Sequence, residues 1–456
     1  MPLIDDRRRV CCASHHREPV EGFTTAGATD HYPPEMGLEP VHTDIDLHID
    51  LEGRACEGTV TVTFKARRDG VCEVTLDAVA FEGVEVVDPE GRSVSFSYDG
   101  LKLHAVWLEA ATRGEVRRLA IAYKVVKPAS GLFFSGPTEA YPQQAWYAAT
   151  DHETERARHW LPCIDLPNAR TKLDFHLRAQ SRFTILANGA QVGEESHDDG
   201  TKTVHWRLDF PCPSYLVCMA IGDFTRCDDG EFEGLPVAYF ASREHTEDDL
   251  RRAFGRTKDI LAWMTGHLDM AFPFPKYYQF ALPGFGGAME NISLVSWDDI
   301  FVLDAQLAKE WTWLVDQINV HEMAHSYFGD AVVCRDFAHA WLKESWATYM
   351  ESCWLEHSKG QDEFRYNLFA DAHSYFGEAD GSYKRPIVTR TFNPSWDMYD
   401  MHLYPGGACR LHTLRKELGD DVFWGGVQAY LKQYKGKVVE TDDFRRALEE
   451  HSGRSL

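Results

Sequence analysis

The apolar residues of this chain keep two different rhythms, and the point where one yields to the other limits what it can fold into. In VHTDIDLHIDL, Thr43, Ile45, Leu47, Ile49 and Leu51 alternate with His42, Asp44, Asp46, His48 and Asp50. A period of two puts one side of an extended strand in a core and the other in water. TVTVTF at 59–64, CEVTLDAV at 72–79 and SVSFSY at 93–98 repeat that texture, separated by the turns EGRA, RRDG and PEGR. It continues through TKTVHWRLDF and PVAYFAS to about residue 242. Short strands joined by glycine-containing turns imply an antiparallel, β-sandwich-like unit. From Glu247 onward, Leu250, Phe254, Leu261, Met264 and Leu268 recur at helical spacing, and further helical patterns cover 310–328, 339–357, 404–418, 420–434 and 441–451. The expected organisation is an α+β multidomain chain: a polar, disordered tail over 1–37, a β domain over 38–242 and a mainly helical domain over 243–456. A length of 456 residues suits two or three domains.

Charge narrows the partners. A formal net charge of -24 argues against nucleic acid, whose phosphates need clustered Lys and Arg, and against an anionic membrane surface. No apolar run approaches the ~18 residues that span a bilayer. Eleven cysteines, an odd number with no CxxC pairing, read as reduced thiols, and the charged N-terminus is no secretory signal. The expectation is cytoplasmic residence. Cys11, Cys12, His15 and His16 lie close together but have no spaced partners, so a polar tail accounts for them better than a metal site does.

The helical half holds HEMAH at 321–325 and WLKES at 341–345. On a helix, residues four apart lie about 40° apart around the axis, so His321 and His325 project from one face. Two imidazoles so held can fill adjacent corners of a zinc tetrahedron. Glu322 is turned by about 100° from His321, beside the ion and not on it, where it can take a proton from an activated water. A catalytic zinc needs a third protein ligand and an open corner. Glu344 is the candidate, because eighteen residues between His325 and Glu344 suffice to end one helix, turn, and return on a second.

Upstream, GFGGAMENIS at 284–293 has a glycine-rich backbone that lets an extended ligand approach and pair with peptide groups. Glu290, near the end of that loop, could bind a cationic group on the ligand.

The order GAMEN, HExxH, eighteen residues, glutamate resembles the zinc aminopeptidases of the aminopeptidase N family, a branch of the gluzincins that includes the leukotriene-A hydrolases. The likeness runs from about residue 38 to the end. Gly287, Ala288, Met289, Glu290 and Asn291 stand as the intact GAMEN motif. HEMAHSYFGD is similar to the family's HELAHQWFGN, and WLKES to its WLNEG. ATDHETERARHWLPCIDLPNARTK resembles TTQFExxxARxxFPCFDEPxxKA, with Ala157, Arg158, Pro162, Cys163, Asp165 and Pro167 matching. HLYPGGACRLHTLRKELG resembles VYxKGAxVLxMLExxLG.

The resemblance implies a thermolysin-like metalloprotease domain behind the β domain, with the family's C-terminal helical domain absent or truncated. It implies one zinc ion per chain on His321, His325 and Glu344, with Glu322 as general base and Tyr404 as hydrogen-bond donor to the oxyanion. Glu153 and Glu290 would hold the free α-ammonium of a peptide substrate, with Gly287, Ala288, Met289 and Asn291 lining its path. Departures from the pattern include Asp151 for glutamine, Gly406 for lysine, and His339 for aspartate. Tyr399, a rival to Tyr404, has the wrong spacing to the following GlyAla. The implied activity is removal of N-terminal residues from peptides. A thermolysin-like endopeptidase and a non-catalytic peptide-binding scaffold remain as alternatives, with epoxide hydrolysis as a side activity that no residue here supports. Side-chain preference and oligomeric state are left open by the sequence.

Overall fold

The computed structural model describes Phe23 and residues 27–456. Cys11, Cys12, His15 and His16, with most of the expected tail, lie outside the described residues. The end of that tail is not loose: Thr29–Asp30 pairs antiparallel with Thr391–Phe392, and the Arg385 guanidinium sits 5.0 Å from the Phe23 ring centroid.

The alternating segments become strands as their period requires. Leu38–Asp50 buries Ile45, Leu47 and Ile49 and leaves Asp46, His48 and Asp50 exposed. It sits centrally in a seven-stranded sheet whose order is Ala190–Ser196, Thr201–Pro213, Arg170–Gln180, Leu38–Asp50, Ala55–Ala66, Val116–Val126, Glu82–Val87. The sheet is not wholly antiparallel as expected, because Arg170–Gln180 runs parallel to Leu38–Asp50. A long excursion through the smaller sheets separates these two strands, and a crossover of that length permits parallel pairing. A three-stranded sheet (Val71–Asp77, Lys102–Ala111, Val94–Tyr98) and a four-stranded sheet (Thr184–Ala187, Met219–Gly222, Tyr147–Thr150, Leu132–Ser135) complete this part.

Residue 243 marks where helices begin, but it is not where sheets change partners. Phe224–Phe232 and Leu235–Ser242 pair into a five-stranded sheet with Tyr277–Leu282, Leu294–Asp298 and Ala288–Met289. The last two strands of the expected 38–242 unit therefore belong, by hydrogen bonding, with the second half. Periodicity reports a strand but not its neighbour.

Eight helices follow among the described residues: α1 Glu247–Phe254, α2 Thr257–Leu268, α3 Ala308–His325, α4 Trp341–Ser358, α5 Gln361–Gly381, α6 Pro405–Leu418, α7 Asp420–Tyr434 and α8 Thr441–Ser452. The single pattern from Glu247 is two helices broken at Gly255, and Leu250, Phe254, Leu261, Met264 and Leu268 are all buried. Helix α5 carries no clear apolar stripe, and Tyr366, Phe369 and Phe376 on it are exposed, so periodicity passes over it. Helices α3 and α4 pack together in the centre, and every residue from Trp341 to Trp354 is buried. Helix α6 crosses α4 closely: a Cβ on Gly407 would stand 1.8 Å from Ser345 Oγ, next to Glu344. Gly406 likewise faces Tyr375, where a Cβ would come within 2.7 Å of the ring. No described helix is long and apolar enough to cross a membrane.

Candidate metal centre and peptide cleft

Helix α3 buries its last eleven residues, Val315 to His325, and so carries both histidines into the core. Glu344 enters from the first turn of α4. His321 Nε2 stands 3.3 Å from Glu344 Oε2, and His325 Nε2 stands 3.2 Å from the same oxygen. All three side chains are at most 1 % exposed.

The far side of each ring shows what those atoms present. His325 Nδ1 lies 3.1 Å from the carbonyl oxygen of Phe328, which can only accept, so the ring proton is on Nδ1 and Nε2 offers a lone pair. His321 Nδ1 lies 2.7 Å from Glu351 Oε1, and a proton shared there leaves its Nε2 in the same state. Acceptors then face acceptors across 3.2–3.3 Å. That spacing is the edge of a tetrahedron drawn around zinc with bonds of about 2.0–2.1 Å, so the donor set fits the ion. Without a cation, a proton is drawn in: burial alone would lower the His321 pKa, but the hydrogen bonds to Glu344 and Glu351 push it up to about 10. Burial would raise the Glu344 carboxyl, yet Lys343, His325 and His321 hold it well below the usual carboxylate range.

Glu322 is 1 % exposed, and its Oε2 has no hydrogen-bond partner. Burial pushes its pKa well above the ordinary value, the direction a proton acceptor needs to hold a proton in transit. Tyr404 immediately precedes α6, half-buried, with its ring 6.1 Å from that of His321.

The GAMEN segment forms the outer edge of the five-stranded sheet. Ala288 and Met289 pair with Trp297 and Ser296, and Asp298 clamps the loop by accepting from the Gly286 N–H at 2.6 Å. Its other edge has no strand beside it among the described residues, so a peptide can be added there by backbone pairing. Asn291 is fully buried; its amide nitrogen donates to Ser296 Oγ at 3.2 Å and so pins the loop, and its Oδ1 has no hydrogen-bond partner.

Glu153, from the first half, and Glu290 do come together, but around a residue of the chain itself. Lys343 Nζ donates to Glu290 Oε1 at 2.8 Å and also to Glu153 Oε1 and Glu344 Oε1. Burial alone would depress its pKa, and the three carboxylates outweigh burial and raise it well above the ordinary lysine value. Tyr399, the residue with the wrong spacing for an oxyanion donor, gives its hydroxyl proton to Glu153.

Two of these partners are not evident from the motifs. Glu351 lies seven residues, two helical turns, beyond Glu344 and so on the same face, a spacing that could have found it. Lys343 shows in the sequence only as a departure, standing where WLNEG has asparagine. His339 is not a partner of the donor set: its ring nitrogens meet Thr441 Oγ1 at 2.9 Å and Arg390 Nη2 at 3.0 Å. Asp151 pairs with Arg156 at 2.9 Å.

A β-rich unit that lends an acid to a helical unit, where an HExxH helix and a returning glutamate converge, defines the architecture of an HExxH metallopeptidase. Comparison with known proteins is specific: the Peptidase family M1 domain matches residues 252–456 and the Peptidase M1 N-terminal domain matches 39–216. The chain belongs to peptidase family M1, whose peptidases are zinc-dependent. It is 26% identical over 440 residues to glutamyl aminopeptidase of Rattus norvegicus, covering 92% of this chain and 46% of that protein. It is 26% identical over 436 residues to puromycin-sensitive aminopeptidase of Caenorhabditis elegans, covering 92% and 46%. Against glutamyl aminopeptidase of Sus scrofa, identity is 29% over 313 residues, covering 67% and 33%. The chain thus spans less than half the length of these curated relatives.

Proposed function

We propose that this chain is a zinc-dependent aminopeptidase with a thermolysin-like catalytic unit, cleaving the first peptide bond at the N-terminal end of a peptide. The observation that carries this is the convergence of His321, His325 and Glu344 with the unpartnered Oε2 of Glu322 beside them. A zinc ion held by those three supplies Lewis acidity and makes a water nucleophilic near neutral pH. Glu322 takes the proton from the attacking water at its free oxygen and passes it to the leaving nitrogen. The Tyr404 hydroxyl donates to the oxyanion of the tetrahedral intermediate, a contribution of about 3 kcal/mol for one such donor. Backbone groups of Gly287 and Ala288 align the peptide as an added strand, and Met289 backs that strand. Glu153 and Glu290 frame the end of the cleft where the terminal nitrogen lies.

One ion per chain is part of the proposal. In the Asp174 cluster the carboxylate is already bonded to His42, His205 and Arg207, and around Asp400 it is bonded to Arg385 and Tyr383. A reducing, cytoplasmic setting suits the nine described cysteines, all unpaired. The test is paired: chelation should abolish cleavage of a chromogenic terminal-residue amide and remove the bound metal, and zinc should restore both. Turnover that persists in metal-free protein would refute the reading.

A further inference from the structure

The turn that carries Tyr404 is held from behind by a buried ion pair that lies outside the donor set. We propose that Asp400 is a positioning residue for Tyr404: gripped by Arg385, it fixes the backbone from which the Tyr404 hydroxyl reaches the oxyanion. This rests on the peptidase reading and deepens it by naming what sets the geometry of its hydrogen-bond donor.

Tyr404 needs such a hold. Its φ and ψ of -78° and -86° lie outside the helical range, and Pro405 follows it at the start of α6. A residue before proline is driven off the helical conformation, so the helix does not extend back to fix it. Asp400 supplies the hold twice. Its carbonyl oxygen accepts from the Tyr404 N–H at 3.2 Å, and its Oδ1 accepts from the Leu403 N–H at 2.9 Å. The carboxylate is clamped in turn: Arg385 donates to Oδ1 at 2.6 Å and to Oδ2 at 2.7 Å, and Tyr383 donates to Oδ2 at 2.7 Å. A two-pronged guanidinium–carboxylate pair fixes angle as well as distance. Both side chains are buried, and the guanidinium also donates to the carbonyls of Pro386 and Met398 at 2.9 Å, so the pair is locked to backbone on either side. His402, inside the turn, lies 2.8 Å from Glu378 of α5. The other tie runs to the metal side: Ser345, next to Glu344, donates to the Leu403 carbonyl at 2.6 Å. The turn thus hangs between α4 and the Arg385 segment, with the Tyr404 ring 6.1 Å from that of His321. A reacting group misplaced by about 1 Å can cost about 10²-fold in rate, which is the leverage such a tie has.

A double-mutant cycle tests the proposal. Wild type, Asp400→Asn, Tyr404→Phe and the double variant, each zinc-loaded, are compared in two assays. One is turnover of leucine p-nitroanilide; the other is calorimetric binding of the phosphonic acid analogue of leucine, whose charged oxygen stands in for the oxyanion. Asp400→Asn should lower kcat at least about fivefold with KM within about twofold, and weaken the analogue at least about threefold. In the Tyr404→Phe chain the same change should move each value by less than about twofold, because the group it positions is gone. Equal losses in both backgrounds, including any routed through Tyr399 and Glu153, overturn the proposal, as do wild-type kcat and binding in Asp400→Asn. If Asp400→Asn fails to fold, Tyr383→Phe, which takes one donor from the carboxylate, enters the same cycle. A loss under about twofold, or one equal in both backgrounds, then overturns the proposal. No metal-dependent turnover by wild type, with the coupling in analogue binding as stated, defeats the peptidase reading only. Turnover with additive losses in both assays defeats only the role given to Asp400, and absence of both turnover and coupling defeats both.

Discussion

Two groups of buried carboxylates and their neighbours lie side by side in this site, and they are finished differently. In the donor set, Glu344 Oε2 faces two imidazole lone pairs, so acceptors meet acceptors until a cation joins them. In the anchor set, Glu153 and Glu290 face an ammonium supplied by the fold. Glu344 belongs to both, giving one oxygen to each. The contrast teaches that an acidic pocket does not by itself announce a cationic ligand; what matters is whether its charge has been answered from within.

Substitutions on either side put that contrast at risk. The largest effect should come from the donor set: His325→Ala or Glu344→Ala is expected to leave less than a tenth of an equivalent of zinc by elemental analysis and only background cleavage. Glu322→Gln should keep its zinc and lose turnover by about 10²–10⁴-fold, the range for a general base, measured as kcat at constant metal content. On the anchor side, Lys343→Met leaves acids buried without their cation and should cost about 3–5 kcal/mol in denaturant melts. Adding Glu153→Gln should restore part of that loss; equal stability of Lys343→Met and wild type would mean the anchor charges are not coupled. Glu351→Gln should weaken zinc by about 10–100-fold in competition with a chelator, because it no longer fixes the His321 ring as strongly. The smallest effect is steric: Gly407→Ala, pressing on Ser345, should cost about 1–3 kcal/mol and shift turnover only as far as Glu344 moves.

Much of this was legible in the order of residues. Ile45, Leu47 and Ile49 report a half-buried strand because side chains alternate along an extended backbone. His321 and His325 report a shared face because a helix turns 100° per residue. Helix α5 was missed because its aromatic residues point outward as well as inward. The partnership of Phe224–Phe232 and Leu235–Ser242 with the second half was missed because a strand's own pattern says which side is buried and not which strand lies alongside. The contact of Asn291 with Ser296 is of the same kind: the motif places the residue in the loop, and only packing shows what its amide nitrogen meets.

Local spacing along the sequence alone determined the two textures and the convergence of two histidines on one helical face, since these depend on bond geometry over a few residues. Spacing also nominated Glu344, and resemblance to a family added Glu153 and Tyr404. Tertiary structure alone decided that the long, flexible stem of Lys343 turns its charge inward, to acids 53 and 190 positions away. Such a meeting depends on three segments docking around one buried point, where an uncompensated carboxylate is costly and the nearest cation within reach is drawn in.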